Sequence, residues 1–332
     1  MARRTKEQRP KGTAGGTRAG ITLTWDGVIE RQWREYLATV GRAPLEQSWS
    51  YGDAIAAGSL YRPTRGVFRR GREVVAMAQA IDWPLAGVAH IVKLVRGPLF
   101  LTDALEPMER TAIFQLLKDR WPMARLNWFF FTPEAADSAA ARDRMTVLGL
   151  KRTVTGDSTA WLDLSSGMEA LRAGLHQKWR NRLRHGEVLG LRCETRTDSA
   201  ALDWLLPRYL ADRKAKRYRG PSATMLTAMS HSFSVKNEML ILRACEGDGT
   251  IIAAIMLLLH GRAATYQIGW SNPEGRRMAA TNFLLWQAIE MLKARGIDWL
   301  DLGGIHPAAA PGLTHFKSGL GGISYQTVGA YR

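Results

Sequence analysis

Cysteine is nearly absent from this chain: two in 332 residues, Cys193 and Cys245. That excludes a disulfide framework, and without Cys-x-x-Cys or His-rich spacing there is no pattern for a metal. Both read as ordinary reduced thiols. Long apolar runs are missing too. The longest, Ile251 to Leu259, has nine residues, against the roughly 20 that a membrane-spanning helix requires. Residues 1–20 carry Arg3, Arg4, Lys6, Arg9, Lys11 and Arg18 among Gly, Thr and Ala, with no apolar segment behind them. This excludes a secretory leader and reads as a disordered basic tail. Together these absences point to a cytoplasmic protein. Acidic residues are scarce as well, 30 against 46 Lys and Arg, which leaves a net charge of +16. Such a field recruits polyanions: nucleic acid, anionic lipid or phosphorylated substrates. It says nothing about fold.

What is present suits two globular domains. The length fits two of ordinary size, and 46% apolar content with 12 tryptophans speaks for well-packed cores. Apolar periodicity predicts helices over 26–40 and 47–57, a hairpin of strands 64–70 and 73–82 turned at Gly71, and a strand over 89–95. A helix over 106–120 stops at Trp121-Pro122, followed by a strand at 126–131 and a helix at 135–148. The order then recurs. A strand over 159–164 precedes helices over 168–187 and 199–216, a hairpin of 240–246 with 250–260, and a strand at 263–269. A helix over 279–295, a strand at 299–302 and a last strand at 326–331 close the chain. Two successive units of helix, helix, hairpin, strand, helix, strand predict a structural duplication, although no residue-level repeat accompanies it.

Two basic clusters stand out. Leu171, Leu175, Trp179 and Leu183 recur every four residues as a buried stripe, which leaves Lys178, Arg180, Arg182 and Arg184 on the remaining surface. One helix later come Arg213, Lys214, Lys216, Arg217, Tyr218 and Arg219, with an aromatic interleaved. Charge runs are usually solvated faces. Here only Asp212 and Glu187 oppose them, so phosphate contacts, from RNA or from a diphosphate-linked substrate, explain them better.

The last third carries the most specific pattern. It runs Tyr266-Gln267-Ile268-Gly269-Trp270-Ser271, then Leu284-Leu285-Trp286 on a helix, then Asp301-Leu302-Gly303-Gly304-Ile305. It ends Gly312-Leu313-Thr314-His315-Phe316-Lys317-Ser318-Gly319. In this order the elements resemble the Fem family, aminoacyl-tRNA-dependent ligases that add amino acids to peptidoglycan precursors. Gln47-Ser48-Trp49-Ser50-Tyr51-Gly52, Arg96-Gly97-Pro98 and the Arg-rich stretch from Lys178 to Arg184 are similar to further family motifs.

The resemblance implies an α/β fold with mixed sheets. Two tandem acetyltransferase-like (GNAT) domains are expected, with the C-terminal strand returning to the first. The domains would span 21–157 plus 323–332, and 158–322, after the tail at 1–20; no heptad insertion marks a coiled-coil arm. It also implies that Lys317, on flexible glycine-rich backbone, contacts substrate phosphate or the developing acyl charge. Asp301 is a lesser catalytic candidate, since an acid before Gly-Gly often only orders its loop. Tyr266, Ser271, Phe316, Arg213, Tyr218 and Tyr51 make up the expected substrate-binding set, with core packing as the plainer account of Phe316. Lys178, Arg180, Arg182, Arg184 and Arg217 are the expected tRNA or phosphate contacts. His306 and His315 flank the same loop and read as bystanders.

The implied activity moves an amino acid from aminoacyl-tRNA to the amine of a peptidoglycan precursor, with the aminoacyl-tRNA as co-substrate and no other cofactor or metal. An acyl-CoA-dependent N-acyltransferase is the main alternative. It needs Arg/Gln-x-x-Gly-x-Gly/Ala at a helix start to cradle a diphosphate. The corresponding Arg276-Arg277-Met278-Ala279-Ala280-Thr281 keeps the arginines but lacks the glycines, so Cβ atoms would crowd the phosphates. A non-catalytic RNA or membrane-surface binder is a third reading. Family members that use nucleotide-linked precursors carry a lysine at the end of the first Gln-Ser-aromatic helix, and this chain has no counterpart. A lipid-linked acceptor therefore stays open, as does peripheral contact with an anionic membrane at its inner face. No single residue stands out as the base for the acceptor amine.

Overall fold

The computed structural model describes residues 12–86, 88–122, 127–305 and 310–332. They form two compact units, each around its own sheet.

The first unit comprises the residues up to Val40, Leu60–Thr155 and Val328–Arg332. The chain begins with β1 (Thr13–Arg18), β2 (Ile21–Trp25) and α1 (Glu30–Leu37). It then places α2 (Trp49–Gly58) in the second unit before returning as β3 (Arg62–Arg70), β4 (Glu73–Leu85), β5 (Ala89–Val95) and β6 (Leu99–Phe100). α3 (Pro107–Arg120), β7 (Trp128–Thr132), α4 (Ala139–Val147) and β8 (Arg152–Val154) follow. β1 to β4 are antiparallel neighbours, β5 and β7 pair in parallel, and the C-terminal Ala330–Tyr331 lies between β7 and β8. Aromatic side chains fill this core: Trp25 meets Trp121 edge-on at 5.2 Å, and Trp121, Phe129 and Phe131 stack in sequence.

The second unit comprises Gly41–Ser59 and Gly156–Thr327. After α2 it contains β9 (Ser158–Asp163), α5 (Met168–Gly174), α6 (Gln177–Val188), β10 (Arg192–Arg196), α7 (Ala200–Lys216) and α8 (Ala223–Ser234). Next come β11 (Met239–Cys245), β12 (Ile251–His260), β13 (Ala263–Ser271), α9 (Pro273–Arg277), α10 (Ala280–Ala294), β14 (Trp299–Ile305), α11 (Pro311–Ser318) and β15 (Ile323–Gln326). Its seven strands run β10-β11-β12-β13-β14-β9-β15. The nine-residue apolar run becomes β12, a central strand covered on both faces. Ile252, Ile255 and Leu257 join the core under α6 and α10, whereas Ala254, Met256 and Leu258 join the one under α2, α7 and α8. A strand buried on both faces reads as continuous apolar sequence rather than as alternation.

Three expectations about boundaries need correction. The tail expected over residues 1–20 is strand from Thr13 to Arg18; residues 1–11 lie outside the described part. Gly15 lets β1 lie close on β2, since a Cβ there would sit 2.5 Å from Leu23, and Arg18 pairs with Asp119 at 2.8 Å. The segment 41–59 belongs with the second unit, where Leu45 and Ala54 share a core with Leu226 and Phe233. Of the expected return strand at 323–332, residues 323–326 instead pair with β9. Gly329, at φ +102°, separates them from Ala330–Tyr331, which does pair in the first sheet.

Leu284 on α10 is fully buried in the second unit's core. Leu284→Ala should cost about 3 kcal/mol through lost burial and a residual cavity, read as a lower denaturant midpoint at unchanged slope. The same truncation at exposed Val188 should stay within roughly 0.5 kcal/mol.

Candidate active site

The site begins with two irregularities in neighbouring strands. β13 and β14 run parallel but pair only over Ala263↔Trp299, Ala264↔Leu300 and Thr265↔Asp301. Just beyond, β13 carries one extra residue, Gln267, against β12, and β14 carries one extra, Leu302, against β9. A bulge bends its strand and re-aims the side chains that follow. Tyr266 consequently packs with the core under α6 and α10, while Ile268 and Trp270 pack with the opposite one. Where the strands part, a cleft of about 740 Å³ opens. β13 from Tyr266 to Ser271 forms one wall and Gly304 with α11 another; α6, the end of α7 and the start of α10 complete it.

The Tyr-x-x-Gly spacing has a steric reason. A Cβ at Gly269 would lie 2.1 Å from the Tyr266 phenol oxygen, so only glycine lets that ring lie along the strand. The Asp-x-Gly-Gly spacing has a conformational one. Gly303 takes φ +69°, and its N–H donates to Asp301 Oδ1 at 2.7 Å. Asp301 is 1% exposed and lies outside the cleft lining. It orders the bulge rather than reaching substrate, which corrects its candidacy as a catalytic acid or base.

Lys317 does reach the cleft, but not from a flexible loop. Pro311 opens α11 at a position where a missing N–H costs nothing, and Lys317 lies in its last turn, 7% exposed. The glycines after it serve close packing. A Cβ at Gly319 would be 2.8 Å from Trp179, and one at Gly322 would be 2.9 Å from the Trp161 carbonyl. Lys317 Nζ donates to the Gly304 carbonyl at 2.9 Å. Burial pulls its pKa down to about 8, and the nearby Asp301 carboxylate opposes that shift. A cation held by one neutral carbonyl in a desolvated cleft is well placed to meet developing negative charge.

The other expected residues divide. Tyr266, Ser271, Phe316, Tyr218, Lys178 and Arg182 line the cleft. Phe316 is half-buried, 6.1 Å from the Trp179 ring. Burial raises the Tyr266 phenol; burial first, then Asp212, Tyr209 and Tyr266, raises that of Tyr218. Arg182 also donates to the Arg276 carbonyl. Arg213 is instead spent on structure, donating to the Gly220 and Pro221 carbonyls at 3.1 and 2.5 Å. Arg180 holds the Ala173 carbonyl at 3.1 Å, and Arg184 and Arg217 lie outside the lining. Tyr51, in the first turn of α2, packs against the core under α7 and α8 and is likewise outside it. These five depart from expectation because helix periodicity gives the face a residue occupies but not what lies opposite that face.

Asp212, read from the sequence only as a counter-charge, lines the cleft, as do His176 and Asn282, which the sequence reading did not single out. Asn282, only 6% exposed, sits in the first turn of α10, where a polar residue at the start of an apolar helix is the available signal. His315 also lines the cleft, its ring 6.0 Å from that of His176. His306 lies outside the described residues.

The acetyltransferase (GNAT) domain family matches residues 172–318. No curated protein matches by sequence. Among solved structures, FemX aligns with a TM-score of 0.78 at 12% identity, over 92% of this chain and 95% of that one. The fold is the Fem fold. L-PGS from Bacillus licheniformis aligns at 0.52 with 13% identity, over 91% of each chain. A tandem GNAT protein from the clavulanic acid biosynthesis pathway aligns at 0.50 with 15% identity, over 93% of this chain and 97% of that one. At these identities the likeness is one of architecture: two acetyltransferase-like domains in tandem. No described helix is long and apolar enough to cross a membrane.

Lys317 also makes stability depend on pH. Its folded pKa of about 8 lies below the ordinary 10.5, so the unfolded chain binds the proton more tightly. Stability therefore rises as pH passes from about 8 to 10.5, and the penalty of the buried cation is fully present below 8. A shift of this size corresponds to roughly 3 kcal/mol. Measured by urea unfolding, wild type should gain on Lys317→Met across that window, and parallel curves would show that the ammonium is not desolvated.

Proposed function

We propose that this protein transfers an aminoacyl group from aminoacyl-tRNA to the primary amine of a peptidoglycan precursor. The observation that carries the reading is the buried Lys317 ammonium at the parting of β13 and β14, in a cleft rimmed by Lys178, Arg182, Arg219 and Arg276. The Fem architecture over nearly the whole chain supports it. In this reaction the neutral acceptor amine attacks the ester carbonyl, and a tetrahedral oxyanion forms. The ribose oxygen then leaves with the electron pair of the broken C–O bond and takes up, directly or through water, the proton that the attacking nitrogen loses. The ester is already activated, so the protein has mainly to align the partners and stabilise the oxyanion. Lys317 supplies that charge, and the rim cations hold phosphates of the donor or of the acceptor.

An acyl-CoA donor is the second reading, since the start of α10 opens on the cleft beside Arg276. Against it, Ala279 occupies the left-handed conformation, φ +54°, that a cradle glycine would take. Both Ala279 and Thr281 line the cleft, and each carries a Cβ where the diphosphate-cradling motif has a glycine or another small residue.

With charged tRNAs and a nucleotide- or lipid-linked precursor, transfer should be abolished by ribonuclease and not restored by acetyl-CoA. Micromolar CoA binding with ribonuclease-insensitive turnover would overturn the donor assignment. Lys317→Met should lower kcat by about 10²–10³; a raised KM with unchanged kcat would mean that it grips ground-state phosphate instead.

The rim makes a separate prediction. Lys178→Gln and Arg182→Gln should each reduce the log–log salt slope of tRNA binding by about 0.7–0.9. Arg184→Gln, outside the cleft, should leave the slope unchanged. Equal effects from all three would indicate a diffuse field without defined phosphate contacts.

A further inference from the structure

Asp212 is the one carboxylate among the described residues lining this cationic cleft. A lone acid there opposes the binding of any polyanion, so its immediate surroundings must show what it favours. It lies in the last turns of α7 with its side chain 16% exposed. The Tyr218 hydroxyl donates toward its Oδ2 at 3.5 Å. Tyr218 meets Tyr209 edge to face at 6.3 Å and lines the same cleft as Tyr266. The enclosure is held from behind. A Cβ at Gly220 would be 2.2 Å from the Tyr209 oxygen, and Arg213 ties the same turn down through the Gly220 and Pro221 carbonyls. Burial keeps the phenols protonated, so they present π faces and hydroxyl dipoles without negative charge of their own. A carboxylate among neutral aromatic rings is the chemistry that receives an organic ammonium. One already sits there: Lys216 Nζ lies 2.7 and 3.0 Å from the two Asp212 oxygens, on a side chain 54% exposed. With its cation this exposed, the pair is weakened by solvent and yields readily to a competitor.

We propose that Asp212, Tyr218 and Tyr266 form a seat for a primary ammonium group, the α-ammonium of the aminoacyl donor. The assignment rests on the aminoacyl-transfer reading. A carboxylate stabilises the protonated amine. The acceptor amine must lose its proton before it can attack, so the seat suits the amine that must stay unreactive. Holding the donor amine charged keeps it from competing as a nucleophile. It also lets the cleft distinguish an aminoacyl ester from an acyl ester of similar shape that lacks the charge.

The test compares two donors on the full-length protein: a tRNA carrying the accepted amino acid, and the same tRNA carrying the matching 2-hydroxy acid. Their intrinsic ester reactivities differ, so the readout is the change in the kcat/KM ratio between variants. Wild type should prefer the aminoacyl donor, and Asp212→Asn should reduce that preference roughly tenfold or more, mainly through the aminoacyl donor. Tyr218→Phe, which keeps the ring, should reduce it less, and it carries the test if Asp212→Asn does not fold. Lys216→Gln should keep the preference. Should Lys216→Gln lose it as fully as Asp212→Asn, the carboxylate serves only that internal pair and the seat is refuted. If Asp212→Asn impairs both donors equally while raising KM for the acceptor, the ammonium belongs to the acceptor and the donor assignment is wrong. Should wild type use neither tRNA donor but turn over acetyl-CoA, the aminoacyl reading fails first and the seat falls with it.

Discussion

The second unit depends on a place where a sheet is prevented from closing. β13 and β14 share three residue pairs and then separate, because each carries a bulge against its outer neighbour. One bulge alone would bend a strand; two on facing strands turn a continuous ladder into a cleft. β11 follows β12 in unbroken register from Met239 to Ala244 and β15 follows β9 throughout, so the opening is held by the rest of the sheet rather than by the loops around it. Tyr266 and Gly304 are brought to the cleft by this divergence, and α11 enters it across the end of β14.

Rigidity around that opening comes from burial on both sides. β12 is covered above and below, and α10 contributes a nearly continuous buried face from Ala280 to Leu292. Against such a support a desolvated ammonium can be tolerated. Trp179 Nε1 and Thr314 Oγ1, on two of the helices that line the cleft, are buried without a hydrogen-bond partner. Each such group costs on the order of 1–3 kcal/mol, a price accepted where the core is strong enough to impose the geometry.

Much of this was legible in the sequence because the relevant physics is local. The apolar run at 251–259, the four-residue stripe through Trp179 and Leu183, and the Tyr-x-x-Gly and Asp-x-Gly-Gly spacings each follow from a period, a steric limit or a backbone angle. What was not legible depends on distant partners. Glycines around Lys317 suggested a pliable loop, yet they mark close approaches to Trp179 and Trp161 and leave the lysine on a helix. The strand at Thr13–Arg18 looked like a tail because Gly and Thr carry no apolar signal, and its role appears only beside Leu23. Arg180 and Arg213 looked equivalent to Arg182; all three hold a backbone carbonyl, and of the three Arg182 alone also lines the cleft. Asp212 was noted only as a counter-charge, because its value lies in Tyr218 and the ring of Tyr209 beside it, whose proximity no spacing announces.

The absence of a convincing base in the sequence has a physical reading in this cleft. Like charges disfavour an ammonium, so an amine brought among Lys178, Arg182, Arg219, Arg276 and the buried Lys317 loses its proton more easily than it would in water. A cationic cleft can therefore prepare its nucleophile through the field alone, with water or the leaving oxygen taking the proton, provided that the amine is kept away from a carboxylate. Asp212 sits to one side, enclosed by Tyr209 and Tyr218. On the proposed function the cleft then holds two electrostatic zones, one that strips a proton from the acceptor amine and one that retains a proton on the donor's. Two amines would enter and only one would react, and the distinction would be made by where the acid in the described lining lies rather than by a dedicated base.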